Sequence, residues 1–141
     1  MLTYPAGGSV DRPAECLLQV AFTGADLPRL RVLVDRRASL AGLSGPRRGD
    51  FVLAVDAVAS NVVEHAGGDG DLALTKVGDE LECRVSDCGP GFSADVIPEL
   101  VPGLDGAPVG RGLWLTRLLS DRLVITAASP GTVVTFAMRL T

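Results

Sequence analysis

The sequence predicts an α+β fold, a two-layer sandwich in which a mixed, mainly antiparallel sheet carries its helices on one face. Three observations predict it. Segments rich in β-branched residues alternate with period two and come in neighbouring pairs separated by turn-length spacers, the pattern of hairpins. Segments with helical periodicity carry one apolar stripe each, so each needs only one covering surface. The order is strand, helix, helix, two strands, loop, helix, two strands, in which adjacent strands pair antiparallel and the helices gather on one side.

Residues 1–14, with Pro, Gly and Ser, read as a flexible tail, and 15–141 as a single domain, a length with room for one core. Residues 15–23, ECLLQVAFT, form the first strand. Asp26 offers an oxygen to free amides, and Pro28 stands where a helix start accepts it. Leu27, Leu30, Leu33, Val34 and Leu40 recur at helical spacing and predict a helix over 27–41. Arg29, Arg31, Arg36 and Arg37 decorate it as a solvated face, with a partner-docking surface as the alternative.

GLSGPRRGD (42–50) interrupts that helix. A second follows over about 50–66, its apolar face built from Val52, Val55, Val58, Val62 and Ala66. Asp56, Ser60 and Glu64, four apart, form a solvent-side stripe. Ala57, Asn61 and His65 form the neighbouring stripe, neither core nor open surface, which reads as the wall of a site. Gly67, Gly68 and Gly70 end the helix.

Strands follow over 71–77 and 80–86, joined by Gly78-Asp79. Leu81, Cys83 and Val85 face inward. Asp87-Cys88-Gly89-Pro90-Gly91 puts a carboxylate at a strand end before two glycines, either a simple turn or a place where backbone approaches a ligand closely. Residues 92–109, rich in Pro, Gly and Asp, form a long functional loop. Gly110-Arg111-Gly112 opens a helix over about 112–120 with Leu113, Trp114, Leu118 and Leu119 apolar and Trp114 as a core anchor. Glycines at a helix start expose amides at the positive end of the dipole, which suits phosphate. Strands over 122–128 and 132–140 flank the turn Ser129-Pro130-Gly131.

Thirteen basic and seventeen acidic residues give 13 − 17 = −4, a poor basis for direct nucleic-acid binding. The lack of a long apolar run or a leading basic-then-apolar segment predicts no membrane association and a cytoplasmic location. Cys16, Cys83 and Cys88 lack CxxC spacing, and with one histidine in the chain they read as small buried residues of a reducing compartment.

Asn61-Val-Val-Glu-His65-Ala66, Asp87–Gly91, Gly110–Leu113 and Gly131-Thr132 stand in the order and on the elements of a known set of boxes. Together they resemble the Bergerat-type ATP-binding fold shared by gyrase, the Hsp90 chaperone, histidine kinases and MutL. Within it they resemble most the small bacterial anti-sigma-factor serine kinases, over nearly the whole chain. The resemblance implies ATP and Mg²⁺ as cofactors, with Asn61 giving its amide oxygen to Mg²⁺. Asp87 would accept the adenine amino hydrogen with Thr132 nearby. Gly89 and Gly91 would let backbone approach base and sugar. Gly110, Gly112 and the following amides, that of Leu113 included, would hold phosphate, Arg111 would either reach a phosphate or point outward, and residues 92–109 would be the lid. His65 would pack under the lid or cap the helix end, without a phosphoacceptor role. A sigma factor or an anti-anti-sigma protein would be the partner, and the chain would be a homodimer.

One position departs from the pattern. The family's general-base Glu, four residues before the Asn, is Ala57 here. Asp56 is adjacent, but one residue rotates a side chain by about 100° on a helix, onto the Ser60/Glu64 stripe. The expectation is therefore an anti-sigma-type regulator that binds Mg-ATP and is a slow or inactive kinase, or a nucleotide-binding module that acts by docking alone. A conformational ATPase machine is disfavoured, and a plain α+β domain whose glycines are only turns is the floor.

Overall fold

The computed structural model describes residues 14–65, 68–87, 108–127 and 131–140. Among the described residues, five strands and three helices form two layers. In chain order they are β1 (Ala14–Thr23), α1 (Leu27–Ala41), α2 (Gly45–His65), β2 (Asp69–Val77), β3 (Glu80–Asp87), α3 (Pro108–Leu119), β4 (Arg122–Ala127) and β5 (Thr132–Arg139), with a 3-10 turn at Gly24–Asp26. The sheet order is β1-β2-β3-β5-β4. Every neighbouring pair is antiparallel, so the expected mixed sheet is antiparallel throughout its described strands.

The turns follow from local chemistry. Gly78 adopts φ +61° in the two-residue connection that closes Val77 against Glu80. Gly42, at φ +105°, ends α1, and the Leu43 amide reaches back to the Ala38 carbonyl at 3.0 Å. Asp26 does not cap the amides of α1. Its Oδ2 accepts instead from the Thr23 amide at 2.9 Å and the Thr23 hydroxyl at 3.2 Å, which fixes the corner between β1 and α1. That amide is the main reason the Asp26 carboxyl is held below the usual carboxylate range.

The break between α1 and α2 is shorter than predicted. Helix α2 starts at Gly45, with Pro46 in its first turn where no amide is needed. Two arginines anchor this early start. Arg47 donates to the Arg139 carbonyl at 2.9 and 3.2 Å and to Asp121 at 3.0 Å; Arg48 pairs with Asp35 at 3.0 Å. The first turn of α2 is thereby tied to the end of β5.

The core lies between the helices and one sheet face. Helix α1 contributes Leu30, Val34, Ala38 and Ala41, and α2 contributes Phe51, Ala54, Val55, Val58, Ala59 and Val62. The sheet supplies Leu72, Leu74, Leu81, Cys83, Val85, Val134, Phe136 and Met138. Phe51 meets Phe136 with ring centroids 5.4 Å apart, joining the two layers. Each such large side chain taken out of water contributes about 1.5–3 kcal/mol.

Three expectations on packing are corrected. Leu40 is 79% exposed, because the buried stripe of α1 runs along Leu30, Val34, Ala38 and Ala41 and position 40 falls outside that arc. Cys16 is exposed on the edge strand β1, while Cys83 is buried and burial pushes its thiol far up. Trp114 is only half-buried, and the fully buried apolar anchor of α3 is Leu113. Cys88 lies outside the described residues.

Candidate functional site

One end of the sheet collects most of the chemistry. β3 ends at Asp87, β5 begins at Thr132, and these two are cross-strand partners. Ala127, at the end of β4, is the partner of Thr132 on the other side. β1 ends and β2 begins at the same end, where Thr23 faces Asp69. Asp87 is 4% exposed and Thr132 2%, so two polar side chains are buried side by side at the rim of the sheet.

Helix α2 delivers Asn61 to this end. Its first turn is bound to Arg139 and Asp121 at the far end of the sheet, so its last turns reach the near end. Asn61 is 4% exposed, between the buried Val58 and Val62. A polar side chain buried that deeply needs partners, and Asn61, Asp87 and Thr132 each make an interaction with their surroundings. Gly24 leaves room for Val63, whose Cγ1 lies 3.1 Å from where a Cβ on Gly24 would stand.

Helix α3 runs the opposite way. It ends beside Asp121, whose amide bonds the Ala137 carbonyl, so its first turn is at the near end. The buried Thr116 hydroxyl donates to the Ala54 carbonyl at 3.3 Å and sets the level of α3 against α2. Seven residues on from Ala54 is Asn61, and seven back from Thr116 is Val109. At 1.5 Å per residue both lie about 10 Å along from that bond. The first turn of α3 is therefore level with Asn61, and Leu113 is level with Ala57. Helix α3 begins at Pro108, so Gly110 falls in its first turn and Gly112 in its second. The amides of a first turn have no partner inside their helix and carry the positive end of the dipole.

The remaining expected site residues divide clearly. Ala57 is half-buried on the Asn61 stripe. Asp56 is turned away from that stripe and pairs with Arg31 of α1 at 2.8 Å. Gly89, Gly91 and the lid residues 92–107 lie outside the described residues, as do the side chains of His65 and Arg111. Two contributors went unnoticed in the sequence. Gly70 packs where a Cβ would meet the Ser86 carbonyl at 2.7 Å and Val62 Cγ1 at 3.0 Å, so its lack of a side chain lets α2 close on the sheet beside Asn61 and Asp87. It stands in a run of glycines that reads as a helix stop. Thr116 carries no signal at all, since a threonine inside an apolar helix looks like filler.

A cleft of about 270 Å³ opens at the same sheet end but on the β1 edge, lined by Phe22, Thr23, Asp26, Asp69, Gly70 and Asp71. Its three carboxylates give it the wrong charge for a polyphosphate. Among the described residues no cluster of His, Cys, Asp and Glu is set to hold a metal by itself. A single amide oxygen such as that of Asn61 suits Mg²⁺, which keeps its waters and takes its other ligands from phosphates. The donor set thus fits a nucleotide-borne metal.

Residues 20–138 match the histidine kinase-like ATPase domain family. The chain belongs to this family. It is a family of ATP-binding domains, so ATP is the ligand that membership implies, and the antiparallel sheet with its helices is the fold expected of it. No match was found among curated proteins. Among solved structures, the histidine kinase AdeS of Acinetobacter baumannii is similar at 14% identity, with a TM-score of 0.49, over 89% of this chain and 68% of that one. No helix of the described residues is long and apolar enough to cross a membrane.

Proposed function

We propose that this chain is an ATP-binding regulator of the anti-sigma type, cytoplasmic and homodimeric, controlling a sigma factor through an anti-anti-sigma partner. The observation that carries the nucleotide part is the convergence of buried Asn61, Asp87 and Thr132 on the sheet end that faces the first turn of α3. In this reading Asn61 holds Mg²⁺ through its amide oxygen. Asp87 accepts from the adenine amino group, with Thr132 beside it. The free amides of the first turn, at Val109 and Gly110, receive phosphate beside Arg111, Gly112 and Leu113, and Gly89 and Gly91 keep the backbone open to base and sugar. Bound Mg-ATP supplies a transferable phosphoryl group.

A binding-only reading has its own support. Ala57 offers no proton acceptor at the position one turn before Asn61, and Asp56 is held aside by Arg31 at 2.8 Å. Phosphoryl transfer relies mainly on positioning and charge stabilisation, so the chain would be slow rather than incapable. A correctly placed base is worth about 10²–10⁴ in rate.

Titration calorimetry with Mg-ATP tests the nucleotide part. We expect binding to wild type and a loss of at least tenfold in Asp87→Ala and Asn61→Ala. No heat at millimolar nucleotide would overturn it. Radiolabelled ATP with an anti-anti-sigma partner tests the catalytic part: little serine phosphorylation by wild type and a gain in Ala57→Glu. Brisk transfer by wild type would instead identify a competent kinase.

A further inference from the structure

Helix α3 carries the turn that faces the phosphates, yet little apolar packing holds it in register. Of its residues from Leu113 onward, only Leu113 and Thr116 are buried. Trp114, Leu115 and Leu119 are half-buried, and Leu118 is exposed. One buried leucine is a non-directional anchor, which tolerates a slide or roll by a fraction of a turn. A hydrogen bond does not, because it weakens steeply with distance and angle.

Two such bonds locate α3, and they reach different layers. Just beyond its C-terminal end, the Asp121 amide donates to the Ala137 carbonyl of β5 at 2.9 Å. That tether registers α3 against the sheet, which carries Asp87 and Thr132. The Thr116 hydroxyl donates to the Ala54 carbonyl of α2 at 3.3 Å, and this registers α3 against the helix that carries Asn61. Thr116 is fully buried, where a hydroxyl costs free energy unless it is bonded and a valine of the same outline would fill the same space. Nor does Ala54 need the hydroxyl. Its carbonyl lies inside α2, where the amide four residues on is its ordinary partner.

We propose that Thr116 is a positioning residue for the phosphate end of the nucleotide. Its bond sets the spacing between Asn61, which would hold the metal, and the first-turn amides of α3. Both must engage one Mg-triphosphate together, so a slip of α3 along α2 weakens both contacts at once. The adenine end depends on Asp87 and Thr132, which the sheet holds, and it does not sense that slip. The inference rests on the nucleotide reading and extends it to a residue outside the Gly110–Leu113 motif.

The test compares wild type with Thr116→Val and Thr116→Ala, which lack the hydroxyl, and Thr116→Ser, which keeps it. Mg-ATP and metal-free ATP are titrated by calorimetry, and adenosine by amide shifts of ¹⁵N-labelled chain. All are measured well below each variant's urea midpoint, so every chain is folded. Expected in both hydroxyl-free variants is a loss of at least about tenfold for Mg-ATP, with adenosine within about twofold of wild type. The gain in ATP affinity on adding Mg²⁺ should shrink in both, and Thr116→Ser should stay close to wild type throughout. A merely structural role would weaken adenosine and Mg-ATP together. That result, unchanged Mg-ATP affinity in the valine and alanine variants, or a serine variant as weak as they are overturns the proposal. Absence of Mg-ATP binding by wild type would overturn the nucleotide reading as well, so the two failures are distinguishable.

Discussion

Replacing Gly70 by alanine tests the packing that holds the site together. A Cβ at this position would stand 2.7 Å from the Ser86 carbonyl oxygen, 3.0 Å from Val62 Cγ1 and 3.1 Å from Phe22 Cζ. The carbonyl cannot yield easily, because β3 is paired along its length to β2 and β5. Forcing an extra carbon into a packed core costs about 1–3 kcal/mol. Reduced freedom of the unfolded chain returns about 0.4–1 kcal/mol for Gly→Ala. The net expectation is a loss of about 1–2 kcal/mol. With an m-value of about 2 kcal/mol/M this lowers the urea midpoint by about 0.5–1 M. Gly49 supplies the internal control. It lies within α2 with nothing within 4 Å of its would-be Cβ, so Gly49→Ala should gain about 0.5–1 kcal/mol. The opposite signs are the diagnostic. A Gly70→Ala midpoint at or above wild type would refute the close approach of α2 to the sheet.

Further predictions follow from other contacts. Phe51→Ala removes the ring that meets Phe136 at a tilt and should cost about 3–5 kcal/mol, read by the same denaturation. Asp121 accepts from the Arg139 amide at 2.7 Å and from Arg47, and these bonds hold its carboxyl below the ordinary range. A depressed folded pKa gives stability that is complete above the unfolded pKa and is lost as pH falls through the folded one. Thermal melts should therefore show wild type losing its margin over Asp121→Asn below about pH 4, and a margin that persists unchanged into strong acid would contradict this. In a Cys88→Ser background a maleimide at neutral pH should label Cys16 and spare Cys83 until the chain unfolds, as mass spectrometry of peptides would report.

Helices α1 and α2 show how far local pattern reaches. Periodicity, a local property, places Asn61 on a stripe between core and solvent, whereas in the structure Asn61 is 4% exposed and joins the buried Val58 and Val62. The same logic misplaces Leu40, since apolar spacing marks a helix without saying which of its arcs the sheet covers. The start of α2, expected near residue 50 and found at Gly45, was missed by more than a turn. Gly45 and Pro46 look like a breaker, and the distant acceptors that make the early start worthwhile, Asp121 and the Arg139 carbonyl, are invisible to a local reading. Of the candidate site, the lid and the glycines after Asp87 lie outside the described residues, so their part stays an expectation.

What the sequence alone determined is the kind and order of the elements, because alternation, helical spacing and turn residues each act over a few neighbours. What only the tertiary structure decided is which ends meet. Asp87 and Thr132 become cross-strand partners because β5 pairs with β3 and leaves β4 at the edge. Asn61 and the first turn of α3 come level because one buried hydroxyl, that of Thr116, fixes the register of two antiparallel helices. These pairings join residues far apart in the chain, and their energies depend on how side chains fill a shared core, which no short stretch of sequence contains.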